Sequence, residues 1–357
     1  MAARRAAAGN GGYLMTKGCL RGAGWAMAWT RQRITFTVGA AIVLTDLVVG
    51  ALLVLGSRGS VRQVAATPSP SHSAQLQSPF TGEPVPSLNR VLAVKIDNTA
   101  LGRPWAGLTR ADIVYVLPVE GGLSRLMAIF SSGFPRAAGP VGSAREEDLP
   151  LLREFGRPGF CYSGATPKLL PYIHRTARIV DLYSGATRGY YRDPGRVAPY
   201  DLYAHLRRLL AEAPGASKAR DIGFRFGPPP PGGRVTRSQS VSYPAAAFRF
   251  TWSAADGRWL VSMGGRPAVT ANGVRVSAAT VVIQHTTVRR SRFVEQGGRP
   301  PFAKSTGSGR AVILRNGRAW TAHWSRPSAG GGTTFTTASG RPATFAPGQI
   351  WVVLTRR

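Results

Sequence analysis

The chain has 357 residues, enough for two domains of ordinary size, and its 43% apolar and 17% charged residues exclude a protein that is disordered throughout. Lysine and arginine number 46 against 16 aspartates and glutamates, a formal net charge of +30 that predicts attraction to polyanions. An excess made mostly of arginine also arises from genomic base composition alone. The two cysteines are too few for a disulfide framework, and the five histidines form no cluster with zinc-ligand spacing.

The N-terminal part of the sequence predicts a membrane anchor. Residues 1–33 are small and basic, which predicts a disordered cytoplasmic tail, and residues 34–55 form an apolar run long enough for a transmembrane helix despite Asp46. Arg31 and Arg33 precede the run, so the positive-inside rule places the remaining chain outside the cytoplasm. A cleaved signal peptide is the alternative, because Ala65 and Ala66 offer small residues for cleavage. Residues 56–78 are rich in Ser, Pro and Gln and predict a flexible linker.

Residues 79–213 predict an α+β or α/β domain in which strands and helices interleave. Short apolar runs between turn residues predict strands at residues 91–96, 113–117, 126–130, 160–162 and 178–182. A capping-box pattern predicts a helix that begins at Ser143. Thr166 followed by Pro167 predicts the start of a second helix, and leucines at helical spacing from Leu202 onward predict a third.

The remaining chain predicts a second, smaller domain of a different class. Residues 214–240 include a Gly- and Pro-rich run and are expected to be a stiff connector. Residues 241–357 lose helical periodicity, which predicts a mainly β domain of short antiparallel strands. Asp256-Gly257, Asn272-Gly273 and Asn316-Gly317 each predict a hairpin turn.

Charged side chains are concentrated where the predicted strands of the first domain end. Asp97 follows one strand, Asp112 precedes the next, and Glu120 and Arg125 flank a glycine turn. Strand ends often carry binding sites, and paired carboxylates can perform acid–base chemistry on a glycan. Structural ion pairs would instead match Asp97 or Asp112 with Arg103, and Glu120 with Arg125 or Arg145.

Two further segments are candidates for holding an anion. Arg145 stands beside the expected helix start at Ser143, which is typical of an anion site and equally of a plain capped helix. Asp193, Arg196 and Tyr200 form a basic and aromatic cluster that suits a sugar or phosphate, or a rigid loop. The candidate ligand-binding residues are therefore Asp97, Asn98, Arg103, Asp112, Glu120, Arg125, Ser143, Arg145, Asp193, Arg196 and Tyr200. The thiol of Cys161 lies in an apolar run, which predicts inert packing.

Two blocks of residues carry a resemblance to a known family. The first block contains Asp97-Asn98, Arg103-Pro104, residues 111–115, Glu120-Gly121-Gly122, Arg125, residues 139–141 and residues 143–145, and it continues through residues 191–203. The second contains residues 281–284, residues 307–309, Asn316-Gly317, Trp324 and residues 347–351. Together they resemble the YerB-like proteins of unknown function, with the N-terminal and C-terminal domains of DUF3048. The resemblance implies an envelope-anchored protein of two domains with no established reaction.

These patterns predict a membrane-anchored extracytoplasmic protein that is a binding or scaffold module of the bacterial cell envelope, with a cleft for an anionic ligand. The expected partners are the membrane, crossed once, and an anionic envelope polymer or an envelope protein. Nucleic acid is not expected, because the basic domains would lie outside the cytoplasm. No cofactor and no metal ion are expected. The alternative is a glycan- or cell-wall-directed hydrolase using Asp97, Asp112 or Glu120.

Overall fold

The structure is a computed structural model that describes residues 75–357, all within one compact unit. The predicted tail, the apolar run at residues 34–55 and most of the linker lie outside the described residues, as do Cys19 and Asp46. In the part of the chain that is described, no helix has both the length and the apolar character needed to cross a membrane.

The described residues are mostly strands, with a few short helices. The strands are β1 Leu92–Ile96, β2 Ile113–Pro118, β3 Ser124–Phe130, β4 Gly159–Tyr162, β5 Val180–Tyr183, β6 Tyr190–Arg192, β7 Leu202–Ala204, β8 Arg234–Val235, β9 Ser238–Tyr243, β10 Ala246–Ser253, β11 Arg258–Met263, β12 Arg266–Pro267, β13 Ser277–Ala278, β14 Thr280–Thr286, β15 Val288–Arg290, β16 Pro301–Ala303, β17 Gly307–Arg315, β18 Arg318–Arg326, β19 Thr334–Thr337 and β20 Ile350–Arg356. The α-helices are α1 Asp148–Leu152, α2 Leu170–His174 and α3 Leu206–Glu212, and 3₁₀ turns lie at Leu108–Arg110, Glu120–Gly122 and Arg153–Phe155.

One large sheet joins the two halves of the described chain. Its strand order is β19-β18-β17-β14-β20-β2-β3-β1-β4-β5, and β8 pairs with β18. The joint is a parallel pairing of β2 with β20, in which Ile113 lies opposite Ile350 and Val116 opposite Val353. The division into two sequence domains stays a prediction, and strands from both belong to a single hydrogen-bonded sheet.

A second sheet packs against the first and is built from local hairpins. Its order is β12-β11-β10-β9, with β13 also paired to β11. The Asp256-Gly257 turn joins the antiparallel strands β10 and β11, and Asn316-Gly317 joins β17 and β18, so these two hairpin predictions are confirmed. Asn272-Gly273 lies inside the Val269–Arg275 bridge, a smaller turn than a full hairpin. The ribbons β15-β16 and β6-β7 complete the described strands.

Alternation along the strands creates a hydrophobic core on each face of the large sheet. In β1, Leu92, Val94 and Ile96 enter one core cluster, while Ala93 enters the other. Leu206 and Leu209 of α3 belong to the first cluster, whereas Leu151 of α1 and Ile173 of α2 belong to the second. Because side chains of a strand point to alternate faces, α3 covers one face and α1 and α2 cover the other.

The described chain is mostly β with few helices, so the prediction of an α+β or α/β first domain and a mainly β second domain is confirmed only in part. The C-terminal part is not purely antiparallel, because β20 runs parallel to both β14 and β2. The predicted helices are shorter than expected, at five, five and seven residues. Strands rather than helices therefore dominate both halves of the described chain.

The predicted starts of all three helices are wrong. The Ser143 side chain does not cap α1, and its Oγ lies 3.3 Å from the Ser163 Oγ. Helix α1 begins instead at Asp148, whose Oδ2 accepts the Arg145 N–H at 2.7 Å. The helix predicted at Thr166 begins at Leu170, and the helix predicted from Leu202 begins at Leu206 because residues 202–204 pair with β6 instead. For the first and third helices, contacts from residues outside the helix override a local capping or spacing signal.

The expected connector is packed along its first half. Ile222 and Phe224 are buried in the second core cluster, where the Phe224 ring lies 4.9 Å from that of Phe345. The Ala219 N–H donates to the Asn89 carbonyl at 2.8 Å. This segment is therefore fixed by hydrophobic packing as well as by its Gly and Pro content.

Candidate functional site

The turn between β2 and β3 is held in place by the β9–β10 hairpin. Gly121 and Gly122 have φ of 66° and 70°, a backbone conformation that favours glycine. The Gly122 carbonyl accepts the Ala245 N–H at 2.9 Å, and a Cβ on Gly122 would lie 2.6 Å from the Pro244 Cβ. The two segments touch so closely that only glycine fits, and this contact positions Glu120.

Glu120 is paired with Arg145. The Arg145 Nε donates to Glu120 Oε2 at 2.9 Å, and a second guanidinium nitrogen contacts Glu120 Oε1, which makes the pair bidentate. The same guanidinium donates to the carbonyls of Ser143 and Ala144. Burial would raise the pKa of Glu120, but the hydrogen bond and charge of Arg145 outweigh it and hold the pKa below its ordinary value. Glu120 is therefore ionised and already neutralised by its partner.

A second carboxylate approaches the same arginine. Glu295 Oε1 lies 3.7 Å from the Arg145 Nε, and within residues 75–357 this buried oxygen has no hydrogen-bond donor. Burial raises the pKa of Glu295 above its ordinary value despite the nearby Arg145 charge. One guanidinium thus sits between two carboxylates whose pKa values are moved in opposite directions.

A buried ion pair holds the loop that carries Arg145. The Lys95 Nζ lies 2.5 Å from Asp148 Oδ1, and both side chains are fully buried. Glu147 is buried beside them, with its Oε2 accepting the Ala303 N–H at 2.9 Å. Burial and the Asp148 charge, partly offset by Lys95, raise the pKa of Glu147 to about 8. The loop that carries Arg145 is therefore fixed by buried polar contacts to strands from both halves of the chain.

The ends of β1 and β3 carry a further group of predicted residues. Asp97 Oδ2 lies 3.0 Å from an Arg125 guanidinium nitrogen, while its Oδ1 accepts the N–H and hydroxyl of Thr99. The Asn98 amide donates to the Ser124 Oγ at 2.8 Å. Asp97 thus pairs with Arg125 rather than with the predicted Arg103, since β1 and β3 are neighbours in the sheet.

We call the cavity beside the β2–β3 turn the turn cleft. It measures about 570 Å³, a size suited to a small ligand. Its walls are residues 118–123, residues 242–244 of the β9–β10 hairpin, Val288, Gly297, Arg299, Pro301, and Thr355 with Arg356 of β20. An adjoining cleft of about 390 Å³ contains Asn98 and Arg103 and shares Leu123, Tyr243 and Pro244 with it. Burial and the neighbouring Arg266 lower the pKa of Arg103, although Asp97 opposes them.

Asp112 lies at the other end of β2 from Glu120 and does not join this group. Its Oδ2 accepts the backbone N–H groups of Ser131 at 2.6 Å and Ser132 at 3.0 Å. Burial raises the pKa of Asp112 to about 6 against these hydrogen bonds. A separate cleft of about 470 Å³ borders Asp112 together with Arg258 and Arg275. Asp112 therefore lines a different cleft from Glu120.

The remaining predicted residues support loops. Arg196 donates to the carbonyls of Leu101, Arg103 and Pro104, so its loop is fixed against the loop that carries Arg103. Asp193 Oδ1 accepts the Gly195 N–H at 2.9 Å, and the backbone N–H of Tyr200 donates to the Val197 carbonyl. None of these three residues lines the turn cleft.

Sequence reasoning missed the buried charges of this region. Lys95, Glu147 and Asp148 were not among the predicted site residues, although a lysine inside the apolar run 91–96 indicates a buried partner. Within residues 75–357, no group of three His, Cys, Asp or Glu side chains is placed to hold a metal ion. Cys161 is fully buried in β4, where burial raises the pKa of its thiol.

Comparison with known proteins identifies relatives without an assigned activity. "Protein of unknown function (DUF3048) N-terminal domain" matches residues 80–220, and "Protein of unknown function (DUF3048) C-terminal domain" matches residues 239–352. The chain is 39% identical over 89 residues to "Putative lipoprotein YerB" of Bacillus subtilis (strain 168), a match that covers 24% of this chain and 27% of that relative. The chain thus matches about a quarter of the length of this curated relative. The crystal structure of the YerB protein from Bacillus subtilis aligns with a TM-score of 0.68 at 21% identity, covering 79% of this chain and 97% of that chain, which shows a shared fold.

Proposed function

The chain belongs to the DUF3048 family, and from this premise we propose that it is an extracytoplasmic, membrane-anchored binding or scaffold module of the bacterial cell envelope that holds an anionic ligand in the turn cleft. The name of the Bacillus subtilis relative, a lipoprotein, supports an envelope location. The apolar run at residues 34–55, with Arg31 and Arg33 before it, supports a single-pass anchor with the folded part outside.

The charge balance of the turn cleft carries the ligand proposal. Glu120 is neutralised by Arg145, whereas Arg299 donates only to the neutral carbonyls of Ser291 and Arg292. Arg356 is exposed and has no acid partner within residues 75–357. Two guanidinium charges therefore remain uncompensated beside apolar walls, an arrangement that favours a small molecule or polymer end with a negative group.

Titration calorimetry on the full-length chain in detergent tests this site. We expect glucuronate or glycerol 3-phosphate to bind, and Arg356→Gln combined with Arg299→Gln to weaken binding at least about tenfold, since a hydrogen bond to a charged group contributes about 1.5–3 kcal/mol. The control variant, Arg207→Gln with Arg208→Gln, removes the same charge from exposed positions of α3. Equal losses in both variants, or no binding of either anion, would refute the turn cleft as an anion site.

Reporter fusions test the location. Alkaline phosphatase joined after Arg58 should be active if the folded part lies outside the cytoplasm. An inactive fusion at Arg58 together with an active cytoplasmic reporter there would reverse the proposed topology.

The hydrolase alternative is less favoured by the contacts of its three candidate acids. Asp97 is engaged by Thr99 and Arg125, and Asp112 by two backbone N–H groups. Glu120 lines the turn cleft, but Arg145 binds both of its oxygens. Turnover of purified wall polymers by the full-length chain, abolished in Glu120→Gln, would favour the hydrolase over the binding module.

A further inference from the structure

A second cleft lies on the face of the sheet covered by α1 and α2. We call it the arginine cleft; it measures about 310 Å³ and is lined by Glu146, Arg153, Tyr172, Arg178, Arg289 and Arg292 among others. It shares none of its lining residues with the turn cleft. Its walls come from both sequence domains, because Arg153 and Arg178 precede the connector while Arg289 and Arg292 follow it.

Glu146 organises one wall of the arginine cleft. Its Oε1 accepts hydrogen bonds from Arg289 at 3.0 Å and from the Arg292 Nε at 2.6 Å, and its Oε2 accepts from the Ser291 hydroxyl and the Arg292 backbone N–H, each at 2.8 Å. The Glu146 side chain is only 3% exposed, whereas those of Arg289 and Arg292 are 41% and 65% exposed. A buried carboxylate thus fixes two guanidinium groups whose outer edges face solvent.

Two further arginines of this cleft, Arg153 and Arg178, carry charges that no acid of the described residues neutralises. Within residues 75–357, the side chains of Arg153 and Arg178 make no ion pair and donate no hydrogen bond. Four arginines therefore face a single carboxylate in the arginine cleft, a surplus of three positive charges. Such a surplus in a recessed site attracts an anion more strongly than scattered surface charges do.

Aromatic rings stiffen this site and offer it an apolar face. The Arg289 Cζ lies 3.7 Å from the centroid of the Phe302 ring, a cation–π contact that restrains the guanidinium. The Arg292 Cζ lies 5.8 Å from the centroid of Tyr172, whose side chain is 45% exposed. An exposed tyrosine ring next to fixed arginines suits a ligand that joins an anionic group to an amphipathic ring or chain.

We propose that the arginine cleft binds the phosphate group of a sugar or polyol phosphate. Phosphate is favoured over carboxylate by the directions from which the donors come. The two oxygens of a carboxylate lie in one plane, whereas the three terminal oxygens of a phosphate monoester point in tetrahedral directions and can accept from arginines on several sides at the same time. The surplus of three positive charges also matches a dianion better than a monoanion.

Titration calorimetry on the full-length chain in detergent tests the proposal. Binding that is lost in Arg153→Gln with Arg178→Gln, and so belongs to the arginine cleft, should be at least about tenfold tighter for glucose 1-phosphate than for glucuronate or glucose. Equal affinity for glucuronate would overturn the preference for phosphate, and the lack of any glucose 1-phosphate binding would overturn the site.

Variants locate the binding in the arginine cleft. Arg153→Gln with Arg178→Gln should weaken glucose 1-phosphate binding at least about tenfold, and should lower the slope of log affinity against log salt. The charge-matched control, Arg207→Gln with Arg208→Gln, lies on α3, which packs on the other face of the sheet, and should leave both quantities unchanged. Equal weakening in the control variant would show a general charge effect and overturn the site.

The same variants separate the two sources of phosphate. Dihexanoyl phosphatidic acid offers a phosphate monoester on a lipid, and glucose 1-phosphate offers one on a free sugar. Binding of either that is lost in Arg153→Gln with Arg178→Gln supports the site and identifies the source. Because Arg356 lines the turn cleft and not the arginine cleft, binding lost in Arg356→Gln belongs to the proposed function, and binding lost in Arg153→Gln with Arg178→Gln belongs to the arginine cleft.

Discussion

Lys95 and Asp148, 53 residues apart in the chain, form a 2.5 Å ion pair with no exposed side-chain surface. The pair joins the strand β1 to the first turn of α1, and through the Arg145 N–H it fixes the loop that presents Arg145 to Glu120. Removing one member of such a pair leaves an uncompensated charge in the interior.

Lys95→Met is therefore expected to lower the free energy of unfolding by about 3–5 kcal/mol. Lys218→Met is the matched control, because Lys218 is exposed and its charge is solvated in both states. Denaturant unfolding followed by tryptophan fluorescence measures both. A loss no larger than in the control would show that Asp148 has another source of stabilisation.

Gly122→Ala tests the contact between the β2–β3 turn and the β9–β10 hairpin. The substitution places a Cβ 2.6 Å from the Pro244 Cβ at a residue with φ of 70°, so we expect a loss of about 2–4 kcal/mol from strain and displacement together. Gly265→Ala is the control, because Gly265 has φ of 76° and no atom within 4 Å of the added Cβ. The difference between the two variants in the free energy of unfolding measures the cost of the clash with Pro244. Equal losses would mean that the hairpin moves aside without cost.

Glu147 should make stability depend on pH. Its pKa is raised from an ordinary 4.5 to about 8, so the folded state holds a proton that the unfolded state releases. The resulting stabilisation is complete below pH 4.5 and is lost as pH rises through 8. Glu147→Gln should therefore flatten the stability curve over this range and be more stable than wild type above it. Denaturant unfolding at several pH values measures the effect, and an unchanged curve would refute the assignment.

Glu146 should give the free energy of unfolding the opposite dependence on pH. Burial disfavours its charge, but hydrogen bonds from Arg289, Ser291 and Arg292 outweigh burial and lower its pKa from 4.5 to about 2. Its stabilisation is thus present above pH 4.5 and is lost as pH falls toward 2.

Glu146→Gln should consequently loosen the β15–β16 ribbon at neutral pH, by about 1–3 kcal/mol of local opening free energy. Hydrogen exchange of the amides in residues 288–303 measures this change. Glu83→Gln, at an exposed residue, should leave the exchange rates unaltered. Protection that persists in Glu146→Gln would mean that Phe302 packing alone holds the ribbon.

Local signals in the sequence were sufficient to predict much of the strand pattern. The apolar run at β1 and the turn residues Asp256-Gly257 and Asn316-Gly317 act within a few residues, so their structure follows from nearby chemistry. The capping box at Ser143 failed because Glu146 is drawn to Arg292, 146 residues further along the chain. No local pattern reports such a partner.

The candidate site was predictable only in part for the same reason. Glu120 and Arg145 pair as one of the expected alternatives, although β3 ends at the opposite end of the hairpin from the glycine turn. The loop after β3 returns along the end of β1, where the Gly142 N–H donates to the Lys95 carbonyl at 2.8 Å, and this path brings Arg145 to the turn. The approach of Glu295 and the burial of Lys95 depend on the C-terminal half folding onto the first half. The proposed arginine cleft likewise requires residues from both halves.

The parallel insertion of β20 between β14 and β2 sets an order of events for a chain made from its N-terminus. Until residues 350–356 have emerged, β2 presents an unpaired edge and the large sheet exists only as two separate parts. An unpaired apolar edge is prone to pairing with other chains. A nascent chain of this protein therefore needs protection until its final described strand is available, and a stop codon before Ile350 should yield aggregates rather than a smaller folded protein.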